Sequence, residues 1–213
     1  MIGRQTIGRR EFVTGLALST LFLASCSRAN PAVVQNGEKA ATDHAAKLVA
    51  AAREQIGVTT AYDPSYTGLA YPGGDVPRSR GVCTDVVIRA YRDAFGLDLQ
   101  KLVHEDMMAN FSAYPDNWGL RSADRNIDHR RVPNLQAFLK RQEAALPLST
   151  GPGDWQVGDL FTSKVGGRLP HIGIVSARQS DGTLLAVHNI GRGAREEAVV
   201  FAHPLDGHFR WQV

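Results

Sequence analysis

The stretch RGVCTDVVIRAYRDAF, Arg80–Phe95, decides how the rest of the chain is read. Val87, Tyr91, Ala94 and Phe95 recur at the spacing of one helical face, and Gly96 stands where a left-handed residue would end the helix. The spacing predicts a helix over residues 84–95, with Cys83 at its start. A thiol attacks as its thiolate. The first N–H groups of a helix have no intrahelical partners and carry partial positive charge, which favours an anion there. Gly81 permits a tight turn that would expose the sulfur. Asp85 acts the other way, because its charge raises the thiol pKa. A base is therefore needed, and a histidine is the usual partner.

Only one other cysteine, Cys26, occurs in the 213 residues. It closes GRREFVTGLALSTLFLASC, which has a basic start at Arg9-Arg10, an apolar run from Leu16 to Leu23, and small residues after it. That is the layout of an export signal. The run is too short to span a bilayer as an ordinary helix. RREF followed by Val13 resembles the twin-arginine type, and LASC resembles a bacterial lipobox. Residues 1–26 are expected to be the signal, with Cys26 the lipidated first residue of the mature chain. The other reading is a general secretory signal cut near Ser25. Ser27, where an aspartate would favour inner-membrane retention, points to the outer membrane. With Cys26 lipidated, Cys83 is a free thiol in an oxidising compartment.

Charge and composition narrow the function classes. Hydrophobic residues make up 43% and charged residues 21%, as in an ordinary globular core. The net charge is +3, part of it in the signal, and no basic run carries interleaved aromatics. Nucleic-acid binding is not expected.

Residues 27–40 are polar and small and read as a linker. From Ala41, an apolar face of Ala45, Leu48, Val49, Ala52 and Ile56 predicts a helix stopped by Gly57. A Pro-, Gly- and Tyr-rich loop precedes Arg80. After Gly96, Asp98 can cap a helix carrying Leu99, Leu102, Val103 and Met107, and Pro133 can open another with Leu135, Phe138 and Leu139. From Trp155 onward the period changes. GDLFTSKV, HIGIVSAR, TLLAVHNI, EAVVFAH and HFRWQV read as strands of an antiparallel meander. Helices followed by a meander give an α+β domain over residues 41–213.

Of the seven histidines, His171 and His188 belong to apolar strand runs. His171 opens its strand and the next strand places His188 beside it, so one can serve as base and the other as its orienter. A histidine within a strand is otherwise an ordinary core residue.

GVCTDVVIRAYR, WQVGDLFTSKV, HIGIVSA and LLAVHNIG resemble the signature blocks of NlpC-type cysteine peptidases, a bacterial papain-like superfamily. YPGGDVPRSRGVCTDVVIRAYR, DLQ, NIDHRRVPNL and HNIG resemble more closely the family called domain of unknown function 1287, itself similar to the NlpC type. The resemblance covers roughly residues 45–212. It implies a papain-like fold, with helices packed on a C-terminal antiparallel sheet and the nucleophile at a helix N-terminus. It also implies a cysteine amidase or peptidase acting on peptidoglycan peptides, with no cofactor. By the same resemblance Cys83 matches the nucleophile, His171 the base and His188 the third polar residue. YPGGDVP makes Tyr71 the oxyanion helper, with Tyr62 and Tyr66 as alternatives. Two departures stand out: Val82 replaces the acid before the nucleophile, and Thr84-Asp85 replaces Ser-Gly after it.

The reaction expected from these parts begins with a thiolate–imidazolium pair between Cys83 and His171. The loop DRNIDHRR sets Asp128, Arg130 and Arg131 together: either an arginine grips a substrate carboxylate, or the group is a salt-bridged surface loop that caps the next helix. The protein is expected to be a monomeric lipoprotein, tethered to the membrane and facing the periplasm. Three other readings compete with the hydrolase. They are a non-catalytic wall-binding lipoprotein, a papain-like acyltransferase, and a zinc site built from Cys83, His171 and His188.

Overall fold

The computed structural model describes residues 31–213, with side chains from residue 39 onward. The export signal, the lipobox and Cys26 lie outside the described residues. Four helices precede a five-stranded antiparallel sheet: α1 Pro31–Arg53, α2 Cys83–Phe95, α3 Leu99–Ala109 and α4 Val132–Arg141, then β3 Leu160–Val165, β4 Leu169–Arg178, β5 Leu184–Asn189, β6 Ala194–Glu197 and β7 Leu205–Phe209. A two-residue parallel pair, β1 Ala61–Tyr62 and β2 Arg80–Gly81, brackets the Pro- and Tyr-rich loop. The α+β reading of helices followed by an antiparallel sheet therefore holds. Among the described residues no helix is long and apolar enough to cross a membrane.

Several boundaries differ from the sequence reading. The stretch read as a linker is helical from Pro31, because a proline at the first turn starts a helix at no cost. The sheet order is β6-β5-β4-β3-β7, so the meander covers only β3 to β6. The final strand returns to pair with β3. It ends at Phe209, short of the expected HFRWQV run. The run EAVVFAH is not a strand beyond Glu197. Val200, 1% exposed, packs from a turn against Trp155, Phe161 and Val175. An apolar run that fills a second core layer from a turn has the same composition as a strand, which is why the pattern misleads.

Helix α2 is the centre of the fold, buried along its whole first part from Cys83 to Tyr91. Its apolar side packs against Leu48 and Ala52 of α1, and against Ile172, Ile174 and Val187 of the sheet. The Tyr91 hydroxyl donates to the Trp211 carbonyl at 3.0 Å, satisfying a phenol that would otherwise be buried unpaired. Gly96, at φ 69°, ends the helix, and Asp98 caps α3 through the Gln100 and Lys101 N–H groups. Arg89, fully buried, donates to Asp75, Thr59 Oγ1 and the carbonyls of Val76 and Arg80. The guanidinium thereby staples the long loop onto the back of α2.

Strand alternation divides the sheet into two faces. Leu160, Ile172 and Ile174 meet the helices, while Phe161, Val175 and Ala186 face a smaller core under Trp155. The ladder between β4 and β5 runs from Arg178↔Leu184 to Ile174↔Val187 and stops there. Beyond it the two strands part, and the N-terminus of α2 docks at that gap.

Candidate active site

Cys83 is the first residue of α2, after the extended Val82. Asp85, three positions into the helix, turns back so that its Oδ2 accepts the Val82 N–H at 2.7 Å. This is the carboxylate half of a capping box, and valine cannot supply the other half. Gly81 is required by packing: a Cβ there would lie 2.9 Å from Asp85 Oδ2. The Gly81 carbonyl accepts Asn189 Nδ2 at 3.0 Å, which fastens the segment before the cysteine to the free end of β5.

The turn does not expose the sulfur as expected. Cys83 is 4% exposed, and burial pushes its thiol up to about 11. The Ile172 backbone N–H acts in the opposite direction, Asp85 raises the pKa further, and the Thr84 and Cys83 N–H groups again favour the anion. The helix N-terminus thus helps the thiolate, but desolvation outweighs it.

The backbone N–H that meets the thiol belongs to Ile172, the residue after His171, but no hydrogen bond joins the imidazole to the thiol and His171 does not line the thiol's cavity. Alternation puts His171 and Gly173 on the sheet face away from α2, with His188 of β5 beside them. His171 Nε2 lies 3.1 Å from His188 Nδ1. Gly173 makes room for this pair: a Cβ there would lie 2.6 Å from the Phe161 ring and 3.0 Å from His188 Cβ. The glycine of HIGIV is therefore a packing requirement of the histidine pair.

A third group completes the row. His188 Nε2 is 3.3 Å from Glu197 Oε2 on β6, close enough for charge attraction although not aligned as a hydrogen bond. The carboxylate selects the tautomer, because a bare His188 Nε2 lone pair facing it would be repelled. With the proton on Nε2, His188 Nδ1 accepts from His171 Nε2–H. His171 Nδ1 is then left as a bare acceptor, the state a general base needs. Burial lowers the His171 pKa to about 3, with the neighbouring His188 and His203 adding to the shift. Burial likewise lowers His188, against the opposing pull of Glu197. The resting site is thus a neutral thiol and a neutral imidazole, not the thiolate–imidazolium pair expected. Glu197 carries no sequence signal of its own, because it falls at the edge of an apolar run with the wrong strand boundary.

The tyrosine assignment changes as well. Tyr71 packs edge-on against His104, with the Arg125 guanidinium over its ring, on the α3 side of the loop. It does not join the thiol. Tyr62 does: it shares a cavity of about 240 Å³ with Cys83, walled also by Pro64, Arg131 and Pro170. Its pKa is pushed up to about 12 by burial first, then by Cys83 and Asp85. It remains a neutral hydroxyl donor. Tyr66 instead hydrogen-bonds Asp124 and Asn126.

The DHRR loop divides into structural and accessible parts. Arg130, 6% exposed, makes a bidentate pair with Asp85, Nε to Oδ1 and Nη2 to Oδ2, both at 2.9 Å. It also reaches the Ser65 and Asp63 carbonyls at 3.3 Å. A substrate carboxylate cannot take this fork without breaking the pair. Asp128 is 1% exposed, and its carboxylate accepts from the Asp124 N–H and from Arg131. Arg130 and Arg131 both line the thiol's cavity, but only the Arg131 guanidinium is free of a bidentate partner. For zinc the donor set does not fit: His171 spends Nε2 on His188. Among the described residues no three His, Cys, Asp or Glu side chains are grouped to hold a metal ion.

Comparison with known proteins identifies the family. Residues 49–211 match the family described as "Domain of unknown function (DUF1287)". An Escherichia coli (strain K12) chain described as "Uncharacterized protein YijF" is 48% identical over 201 residues, covering 93% of this chain and 98% of that one. Cys83, His171, His188 and Glu197 all fall inside the matched span, and the chain belongs to the DUF1287 family.

Proposed function

We propose that the protein is a papain-like cysteine hydrolase of the NlpC kind, cutting an amide bond in peptidoglycan peptides. The observation that carries this reading is the 3.1 Å contact of His171 Nε2 with His188 Nδ1, on the strand whose next residue, Ile172, offers its N–H to a thiol at the start of a buried helix. A histidine pair with a selected tautomer serves proton transfer. For stability alone, two apolar residues would pack there with less desolvation.

Because the resting pair is neutral, proton transfer accompanies attack and does not precede it. Cys83 Sγ adds to the amide carbonyl as its proton passes, through a water at the end of the β4–β5 ladder, to His171 Nδ1. The Cys83 backbone N–H and the Tyr62 hydroxyl meet the oxyanion, each such donor contributing about 3 kcal/mol. His171 gives the proton to the departing amine, leaving a thioester on Cys83. Water, deprotonated by His171, hydrolyses that ester and restores the thiol. His188 and Glu197 hold the base in its tautomer throughout. In this reading Cys26 bears the lipid, the domain faces the periplasm from the outer membrane, and it acts as a monomer.

The test is mass spectrometry of muropeptides incubated with the purified chain, beside Cys83→Ala and His171→Ala. New fragments from the parent alone name the bond. Fragments from either variant sink the mechanism. Transfer of the acyl group to an added amine in place of water would identify an acyltransferase. Binding without turnover would identify a wall-binding module.

A further inference from the structure

The thiol cavity has a neighbour. Behind Trp118 and Arg131, which wall both spaces, lies a second cavity of about 270 Å³ lined also by Met107, Phe111, Tyr114 and Asn134. Trp118 and Arg131 form the partition. The guanidinium carbon sits over the indole, 4.0 Å from its centroid. A guanidinium held over an aromatic face keeps N–H groups free for other acceptors. Among the described residues the guanidinium's one hydrogen-bond partner is Asp128 Oδ1, at 3.2 Å from Nη1. Asp128 is buried with its other oxygen on the Asp124 N–H, so it presets the fork and does not fill it. Asp116 also belongs to this cavity, at its solvent-exposed rim, where water and salt screen its charge.

Asn134 supplies a second, independent observation. It is 1% exposed on α4, and its Nδ2 donates to the Asp128 carbonyl at 3.2 Å, which fixes the orientation of the amide. Asn134 lines the cavity, and its Oδ1 is buried with no hydrogen-bond partner. Such an oxygen costs about 1–3 kcal/mol unless a donor reaches it. The cavity therefore combines a stacked, partly unused guanidinium fork with an unsatisfied amide acceptor. A peptide unit bearing a carboxylate next to an N–H presents the complementary pair.

We propose that this second cavity is a carboxylate-reading subsite, in which Arg131 takes a free carboxylate of an acidic peptide and Asn134 Oδ1 takes the adjacent N–H. The proposal rests on the hydrolase reading for what happens to that peptide once bound, but not for the binding itself. The shared partition places the recognised carboxylate next to the amide at Cys83, so Arg131 sets which acidic peptides are cut.

The experiment is calorimetric titration of the full chain carrying Cys83→Ala with two probes. One is a soluble muropeptide with free stem-peptide carboxylates, and the other is the same muropeptide with those carboxylates converted to carboxamides. A charged hydrogen bond contributes about 1.5–3 kcal/mol, so the free acid should bind about 10- to 100-fold more tightly. Arg131→Gln should abolish that preference while the carboxamide affinity stays the same. Trp118→Ala, at a 40% exposed residue whose loss does not open the core, should weaken it through the lost platform. Equal affinity for the two probes, no binding of either, or a preference that survives Arg131→Gln would overturn the proposal. Turnover of the same probes by the parent chain separates the two ideas. Preference without cleavage leaves the subsite standing and removes the hydrolase, and cleavage without preference does the reverse.

Discussion

Replacing Arg130 by alanine should unfold much of the site without touching the chemistry. The guanidinium and the Asp85 carboxylate are 2% and 3% exposed, and two 2.9 Å bonds join them. Arg130→Ala leaves the carboxylate buried against the start of α2 with only the Val82 N–H to hold it. Breaking one side of such a pair costs about 3–5 kcal/mol, chiefly from the abandoned charge. The lost bonds to the Ser65 and Asp63 carbonyls fall within that range. For a domain of this size the loss corresponds to about 6–20 °C in Tm. Urea unfolding followed by tryptophan fluorescence measures it, together with Asp85→Ala and the double variant. The double variant should be more stable than the sum of the single losses predicts, because it leaves no orphan charge. A loss under about 1 kcal/mol, or strict additivity, would refute the reasoning and return Arg130 to the pool of substrate ligands.

Three shorter predictions follow from the same geometry. Alkylation of Cys83 by iodoacetamide should rise about tenfold per pH unit between pH 7 and 10, since the thiol titrates near 11; a plateau already reached below pH 8 would contradict the neutral resting pair. His129 and His171 are buried and neutral, with pKa values lowered to about 3. Their contribution to stability is complete above pH 6.5 and should fall away as pH drops toward 3, by about 1.4 kcal/mol per unit for each. Urea midpoints against pH check this, and His129→Gln should flatten the slope. Glu197→Gln keeps the shape but removes the charge that selects the His188 tautomer, so kcat/KM should fall about tenfold and the acid limb of the pH profile should move down; an unchanged profile takes Glu197 out of the row.

The helical half was legible because its signals are local. Asp98, Pro133 and Gly96 each act within one turn of where they stand. The pairing of His171 with His188 was legible because consecutive strands of a meander set such residues side by side. What failed was what depends on distant chain. Nothing near Tyr71 in sequence says that its ring belongs to His104 and Arg125. The residue that reaches the thiol, Tyr62, is placed by a two-residue pairing with Arg80–Gly81. Arg89 reads as the polar side of an amphipathic helix, yet it is fully buried because loop carbonyls and Asp75 come to meet it. The thiol pKa was misjudged for a related reason: the helix N-terminus is visible in sequence, but the desolvating wall supplied by β4 is not.

The departures from the NlpC-like pattern after Cys83 explain one another. Where that pattern has Ser-Gly, this chain has Thr84-Asp85, and both residues bond to Arg130. Thr84 Oγ1 donates to the Arg130 carbonyl at 2.9 Å, and Asp85 holds the guanidinium. Small residues at those positions would leave the DHRR loop unattached to α2. With Thr-Asp present, the loop is clamped by its backbone and its side chain to the turn that bears the thiol. Arg131, the next residue, is thereby fixed relative to Cys83. Asp85 does raise the thiol pKa, but its effect ranks behind burial and the Ile172 N–H. The same carboxylate thus raises the thiol pKa while tying the wall of the cavity to the helix that carries the thiol.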